Sequence, residues 1–138
     1  MHRDHRSISV ISLLWKEITR YVLGRGSRYM IGCSSLTSQD PALGWAMFKR
    51  LAEKHLAPAA LRTEPLATFA LPNQMALAPC PSPPKLLRAY LSIGAKICGP
   101  PAIDREFRTI DFLTVLDCHT GSAIAWEHFV KRPQPLPL

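Results

Sequence analysis

The stretch that decides the fold is "LSIGAKICGPPAIDREFRTIDFL", residues 91–113. A short apolar run over 95–98 is followed by a loop with Gly99 and two prolines, and then by a second apolar run that begins at Thr109. Apolar, β-branched runs of this length bounded by glycine and proline predict two strands, about 95–98 and 109–116. The loop between them carries the charged residues Asp104, Arg105 and Glu106, and it is either a solvated connection or the lining of a pocket.

A helix and a strand are predicted before this stretch. Apolar residues recur at three- and four-residue steps between Ser9 and Arg25, which predicts an amphipathic helix; the stripe is Ile11, Leu14, Trp15, Ile18 and Val22. Ser7 or Ser9 can cap its start, and Gly24 and Gly26 can end it. Residues 28–34 follow as a strand that is apolar on both faces and therefore predicted to be buried on both.

Two further helices are indicated by their start signals. Asp40 is a suitable N-cap and Pro41 suits the first turn of a helix whose apolar stripe is Leu43, Met47, Phe48 and Leu51. Pro84 opens a short helix that ends at Gly94 and turns Leu86, Leu87, Tyr90 and Leu91 inward. The order of elements predicts an α/β fold with a mixed sheet flanked by helices.

The domain organisation follows from composition along the chain. Residues 1–118 form one partial domain, residues 57–84 are a proline-rich surface excursion within it, and residues 119–138 are a tail with a possible short helix over 122–130. The first helix has no strand before it, and the first strand needs neighbours on both sides. The chain therefore resembles the second half of a domain, and its first strand is expected to cause poor solubility or dimerisation through a free edge.

The composition excludes several classes of protein. The chain has 138 residues, 47% hydrophobic and 20% charged, which is typical of a globular domain and too interrupted for a membrane span. Its net charge of +7 favours an acidic partner, although ordinary solubility charge would give the same value. Nucleic acid fits the charge, but no recognised binding motif is present. The four cysteines form no CxxC pair, so free thiols are expected and no metal site.

Two segments resemble a known family: "HRDHRSISVISLLWKEITRYVLGRGSRYMIGCSSL" and "PPKLLRAYLSIGAKICGPPAIDREFRTIDFLTVLD". They are similar to the C-terminal half of the haemolysin-like GNAT N-acyltransferases, the ornithine N-acyltransferases of bacterial ornithine-lipid synthesis. The specific signature is the Gly-Pro-Pro-Ala-Ile-Asp-Arg-Glu-Phe run that begins at Gly99 and the Thr-Ile-Asp-Phe-Leu run that begins at Thr109. The resemblance covers most of residues 2–117, weakly across the proline-rich excursion.

The resemblance implies the C-terminal half of a GNAT fold and an acyltransferase of lipid metabolism. The donor is a 3-hydroxyacyl chain on the phosphopantetheine of acyl carrier protein, with no other cofactor, and the acceptor is the α-amino group of ornithine or a related amine. The implied location is cytoplasmic, with peripheral contact at the inner membrane through the lipid product. The family's N-terminal half, with its thioester-holding strand and its expected carboxylate bases, has no counterpart here, so a truncated enzyme is expected.

Candidate site residues fall in four places, of which the acceptor side is the last. The resemblance puts the donor phosphate at Arg6 and Ser7, where the helix N-terminus and a cation favour an anion, but Ile8 replaces the family's glycine. Cys33, Ser34 and Ser35 lie where the first strand ends, and a thiol or hydroxyl there could hydrogen-bond the donor or return a proton to the leaving thiolate. A covalent acyl-cysteine is less favoured, because no His-Asp partnership is read nearby; the structural alternative is a packed thiol and strand-end hydroxyls. Basic faces also suit an acidic carrier protein or are only solvated; they comprise Lys16, Arg20, Arg25 and Arg28 with Lys49, Arg50 and Lys54.

The acceptor side is expected at Asp104, Arg105 and Asp111. A carboxylate there could hold the ammonium of ornithine, and Arg105 could hold its carboxylate. Alternation along the strand puts Asp111 on the opposite face from Ile110 and Phe112. The structural alternative is an aspartate–arginine pair that locks the loop. The functional alternative to an acyltransferase is an inactive or partner-binding remnant of that enzyme.

Overall fold

The structure is a computed structural model that describes residues 8–74 and 79–120, with side chains from residue 13 onward. The chain divides into two units. One comprises Met1–Met30 with Asp117–Leu138, and the other comprises Ile31–Leu116. The predicted phosphate-binding residues Arg6 and Ser7, the helix predicted over 122–130 and nearly all of the tail lie outside the described residues.

The first unit contains helix α1, Ile8–Gly24, close to the predicted bounds. Its C-terminus is closed by two backbone bonds, from Gly26 N to Leu23 O and from Ser27 N to Val22 O, with Gly26 at φ 64°. This is a Schellman motif, and it confirms the predicted glycine stop. The predicted apolar stripe is only partly buried, because Val22 is 8% exposed whereas Leu14 and Ile18 are 50% and 40% exposed.

The same unit holds an ion pair at the base of the sheet. Arg28 lies immediately before β1 (Tyr29–Leu36), and its guanidinium binds the carboxylate of Asp117, with Nη2 to Oδ2 at 3.1 Å. The backbone N–H of Cys118 donates to Arg28 O at 2.7 Å, so the two segments run side by side. The pair fixes where β1 begins against β4, the strand that Asp117 ends.

The second unit contains α2 (Pro41–His55), α3 (Lys85–Ser92), β2 (Lys96–Ile97), β3 (Ala102–Asp104) and most of β4 (Thr109–Asp117). The N-cap of α2 is Asp40, as predicted, and its carboxylate accepts from Ala42 N at 2.9 Å. Pro84 precedes α3, also as predicted, but Leu86 is 50% exposed and does not face inward. Strand β3 lies within what was predicted to be loop.

The sheet has the order β1-β4-β2, and β3 also pairs with β4. β2 and β3 are antiparallel to β4, with Ile103 opposite Ile110 in the register. The parallel pairing found within residues 8–74 and 79–120 is an isolated bridge between Leu56 and Ile97. This confirms the α/β class, and the arrangement is compatible with part of a GNAT-like acyltransferase fold.

The core of the second unit lies between α2, α3 and one face of the sheet. It is built from Met47, Leu51, Leu71, Leu87, Ile97, Ile103, Ile110 and Phe112. Gly44 lets α2 approach closely, because an added Cβ there would lie 2.7 Å from Leu71 Cδ2 and 3.0 Å from Ile110 Cδ1. Helix, sheet and proline-rich segment therefore share one core, in which Leu71 is contributed by the segment.

The proline-rich segment covers the sheet edge next to β2. Ala57 N donates to Ile97 O at 2.8 Å, Thr63 N donates to Cys98 O at 2.9 Å, and Ala70 forms a bridge with Ala102. Two short 3₁₀ turns, Ala59–Leu61 and Ala67–Phe69, bend the chain to this path. The segment is thus tied to the sheet by its backbone and is more than the surface excursion that its prolines predicted.

The opposite edge of the sheet is β1, and here the prediction of a strand buried on both faces is wrong. Ser34 is its one buried residue, at 3% exposure, whereas Ile31 is 72% exposed. β4 is its neighbour on one side, and no described strand lies on the other. β1 therefore has the apolar sequence that is typical of a central strand, but it is an edge strand among the described strands.

Candidate functional site

The strand β4 sorts its side chains between two faces. Ile110 and Phe112 are fully buried in the core, and Asp111 lies between them on the other face, as predicted. The neighbouring strand β1 alternates in the same way, so that Ser34 faces the core and Cys33 faces away from it. Two of the predicted site residues, Cys33 and Asp111, are thus brought to one face, and Ser34 is separated from them.

Asp111 has the feature expected of a ligand-binding carboxylate. Its Oδ1 is buried and has no hydrogen-bond partner among the described residues. A buried carboxylate oxygen without a donor costs free energy relative to the unfolded chain, and folds retain such atoms mainly where a ligand or water supplies the donor. Asp111 is therefore the strongest candidate for the acceptor side.

Cys33 lies within electrostatic reach of Asp111. Cys33 is exposed as a residue, but partial desolvation of its thiol raises the pKa of that thiol, and the negative charge of Asp111 raises the pKa further. A thiol with a raised pKa stays protonated near neutral pH, and the thiolate is the form that attacks carbonyl carbon. The electrostatics of this face favour Cys33 as a proton donor over Cys33 as a nucleophile.

Ser34 is engaged in the sheet. Its Oγ lies 3.0 Å from Thr114 Oγ1, and the Thr114 hydroxyl donates to Phe112 O at 3.2 Å. The Thr114 hydrogen is committed to that carbonyl, so the Ser34 hydroxyl donates to Thr114. This geometry matches the structural alternative, in which the hydroxyl joins β1 to β4.

Asp104 and Arg105 hold the hairpin between β3 and β4. Asp104 Oδ1 accepts from the backbone N–H groups of Glu106 and Phe107, at 2.9 and 2.8 Å. Arg105 Nη1 donates to Thr68 O at 2.9 Å, which ties the hairpin tip to the proline-rich segment. The two side chains lock the loop separately, and no ion pair between them is found. The charged side chains of this hairpin thus have a structural role. A role of Asp104 and Arg105 in binding the acceptor stays a prediction.

Sequence reasoning missed Gln39, which clamps the base of the same hairpin. Its Nε2 donates to Asp104 O and to Thr109 O, both at 3.0 Å, and to Ser38 O at 3.3 Å. Asp104 and Thr109 lie 65 and 70 residues away from Gln39 in sequence. No local pattern could have indicated them, because the residues between β1 and α2 meet the hairpin only after the sheet has formed.

The described residues also bear on metal ligands, membrane helices and disulfides. In the part of the chain that the structure describes, no group of three metal-ligating side chains is found. No helix of that part is both long and apolar enough to cross a membrane. All four cysteines are free thiols.

Comparison with known proteins gives one informative match. No family model matches the chain, and no solved structure matches it. A curated relative, L-ornithine N(alpha)-acyltransferase of Rhodobacter capsulatus, is 29% identical over 140 residues. The match covers 96% of this chain and 53% of that relative, which is consistent with a resemblance to one half of such an enzyme. The chain is thus similar to an ornithine N-acyltransferase along nearly all of its own length, and it spans about half the length of that relative.

Proposed function

We propose that the chain supplies the acceptor-side half of an N-acyltransferase that acylates the α-amino group of ornithine or a related amine. The similarity to the Rhodobacter capsulatus enzyme along 96% of the chain carries this proposal. In such a transfer the amine nitrogen attacks the thioester carbonyl, a C–N bond forms and the C–S bond breaks. The amine loses a proton and the departing thiolate gains one.

Asp111 is proposed to bind the amine. Its unpartnered Oδ1 would accept a hydrogen bond from the neutral amino group of the acceptor, which would replace the donor that the fold does not provide. Cys33, protonated and on the same face, would give its proton to the leaving thiolate and regain one from the amine nitrogen as the amide forms. Arg6 and Ser7 remain proposed ligands of the donor phosphate, and Asp104 and Arg105 would act by fixing the hairpin from which β4 starts.

Acyl carrier protein is proposed as the donor. Its acidic surface would meet cations of the first unit such as Lys16 and Arg25, which are exposed and so available to steer an encounter. Such steering weakens with salt, because screening at about 0.1 M ionic strength extends over only ~10 Å. The cytoplasmic location and the contact with a membrane through the lipid product belong to the same proposal.

A second candidate is that the chain is inactive alone and serves as a partner-binding remnant. The specific observation in its favour is β1, whose outer edge has no described partner and whose Ile31 is 72% exposed. A free edge with apolar side chains is a template for strand addition.

The two candidates are separated by one assay. Transfer of a 3-hydroxyacyl group from carrier protein to ornithine would be measured with this chain alone, and with the part of the Rhodobacter capsulatus relative that it does not match added as a second polypeptide. The intact relative is the positive control. Activity on mixing supports the proposed half-enzyme, and activity of the chain alone would overturn our assignment of the thioester-holding strand to the other half. A chain that binds the second polypeptide without transfer would support the remnant.

Asp111→Asn tests the proposed acceptor site in the mixed system. We expect a rise in KM for ornithine of at least about tenfold with little change in stability, because the buried oxygen loses its charge but no existing hydrogen bond. Lost stability with unchanged specific activity would show that Asp111 is structural. Cys33→Ser is the companion variant, expected to retain activity if a protonated group suffices.

A further inference from the structure

A cleft on the helical side of the sheet is not used by the proposed acyl transfer. It lies between the C-terminal half of α2 and α3, with Pro83 at one end, and its volume is about 470 Å³. That volume is within the range of small-molecule pockets, roughly 300–1,000 Å³. Cys33 and Asp111 are on the other face of the sheet, so the cleft is separate from the candidate acceptor site.

The rim of the cleft carries a concentration of positive charge. Arg50, Lys54 and Arg88 contribute three cations, and Glu53 is the acidic residue among the lining side chains. Within residues 8–74 and 79–120, neither Lys54 nor Arg88 forms an ion pair. Arg50 donates through Nη1 to Pro81 O at 3.4 Å, and this neutral partner orients the guanidinium without compensating its charge.

The pKa of His55, which also lines the cleft, is affected by burial and by nearby positive charge. Burial lowers the pKa of the His55 imidazole, and the nearby cations Lys96 and Lys54 lower that pKa further. Lys96 Nζ donates to Lys54 O at 3.2 Å, which is the usual complement of a cation to the last turn of a helix. The favourable interaction of cations with the C-terminal end of α2 accounts for Lys54, which lies in the last turn, and for Lys96, which is bonded to it. Arg50 and Arg88 lie away from that turn, so the helix end does not explain their positions.

The inner wall of the cleft is apolar. Leu51 is 3% exposed and belongs to the core, and Leu91 and Pro83 are half-buried beside it. A guanidinium pair suits the oxygens of a phosphate, because each fork presents two parallel N–H donors. A ligand that satisfies both parts of the cleft combines a phosphate with an apolar group.

We propose that the α2–α3 cleft is a binding site for a phosphate-bearing amphiphile, with the phosphate on Arg50, Lys54 and Arg88 and the apolar part against Leu51 and Leu91. The proposal does not depend on acyl transfer. The chemistry can come from two sources, a phospholipid at a membrane surface or a soluble organic phosphate with an apolar tail.

The test uses dihexanoyl phosphatidic acid as a monomeric probe in calorimetric titrations of the full chain. Dihexanoyl phosphatidylcholine and inorganic phosphate are the comparison ligands. The double variant Lys54→Gln/Arg88→Gln removes two of the proposed contacts. Its matched control, Lys49→Gln/Lys85→Gln, removes the same charge from the same two helices at exposed positions that do not line the cleft.

We expect the anionic probe to bind more tightly than either comparison ligand. The cleft variant should bind it at least about tenfold more weakly, and the control variant should stay within about twofold of the parent. Binding should also raise the pKa of His55 in an NMR titration. Equal losses in the two variants would overturn the site in favour of net charge alone, and equal binding of inorganic phosphate would overturn the apolar part.

Vesicles separate the two sources. Cosedimentation with vesicles of phosphatidic acid and phosphatidylcholine, lost in the cleft variant and kept in the control, would place the phosphate in a membrane. Binding of the monomeric probe without cosedimentation would point to a soluble organic phosphate. If the parent chain binds neither the monomeric probe nor the vesicles, the site is refuted. Circular dichroism spectra of the variants that match the parent would show that a loss of binding in a variant is not a loss of fold.

Discussion

Ser34 Oγ lies 3.0 Å from Thr114 Oγ1, and this buried hydroxyl pair joins β1 to β4 on the core face of the sheet. The Thr114 hydroxyl in turn donates a hydrogen bond to Phe112 O, at 3.2 Å. The pair therefore gives Ser34, a candidate catalytic residue by sequence, a structural partner. It also shows which face of β1 is packed and which face is free for Cys33.

Replacing Ser34 tests that assignment. Ser34→Ala removes one buried hydrogen bond and should lower the free energy of unfolding by about 1 kcal/mol, measured by urea denaturation. Acyl transfer in the mixed system should be unchanged within about twofold. Ser35→Ala, at an exposed neighbouring position, is the control. A fall in rate of about a hundredfold or more with normal stability would instead make Ser34 a general acid.

Gly99 is expected to tolerate no side chain. An added Cβ would collide with the backbone carbonyl oxygen of Thr63, which cannot move aside because Thr63 N is bonded to Cys98 O at 2.9 Å. Gly99→Ala should lower the free energy of unfolding by about 1–3 kcal/mol or more. The matched control is Gly32→Ala in β1, where no atom lies within 4 Å of the new Cβ. Equal stabilities of the two variants would contradict the close approach of the proline-rich segment to the sheet.

The Arg28–Asp117 pair predicts a dependence of stability on acid pH. The hydrogen bond from Arg28 lowers the pKa of the Asp117 carboxyl below its ordinary 3.8, and the backbone N–H of His119 lowers that pKa further. A depressed folded-state pKa stabilises the protein above the unfolded-state pKa, and this contribution disappears as the pH falls through the folded-state value.

Asp117→Asn should therefore flatten the loss of stability below about pH 4. Thermal unfolding between pH 2 and pH 7 would measure it, with Glu64→Gln as a control of the same charge change at an exposed position. If the parent and the Asp117→Asn variant lose thermal stability equally as the pH falls, the Arg28–Asp117 pair contributes nothing to the stability of the fold.

The free edge of β1 should make the isolated chain associate. Ile31→Lys places a charge in the exposed edge strand and should shift the chain toward monomer in sedimentation velocity experiments. Leu66→Lys is the control, since Leu66 is 73% exposed on the proline-rich segment, away from that edge. Equal effects of the two substitutions would mean that association follows total apolar exposure and does not use the strand.

The sequence by itself determined the local elements with their start and stop signals. Asp40 and Pro41 start α2, Pro84 precedes α3, and Gly26 closes α1, because capping and φ preferences act within a few residues. Alternation placed Asp111 opposite Ile110 and Phe112 for the same reason, since side-chain period in a strand is a local property. The family resemblance likewise follows from residues in the chain alone.

Tertiary structure decided what those residues do. The apolar residues that the sequence shows in β1 cannot tell a central strand from an edge, because the difference lies in which strands pair beside it. Asp104, Arg105 and Gln39 find backbone partners through contacts that only the assembled hairpin, 3₁₀ turn and β1–α2 loop provide. Among the side chains of the described residues, Asp111 alone is left with a buried oxygen and no donor, and that lack depends on every neighbour in the fold.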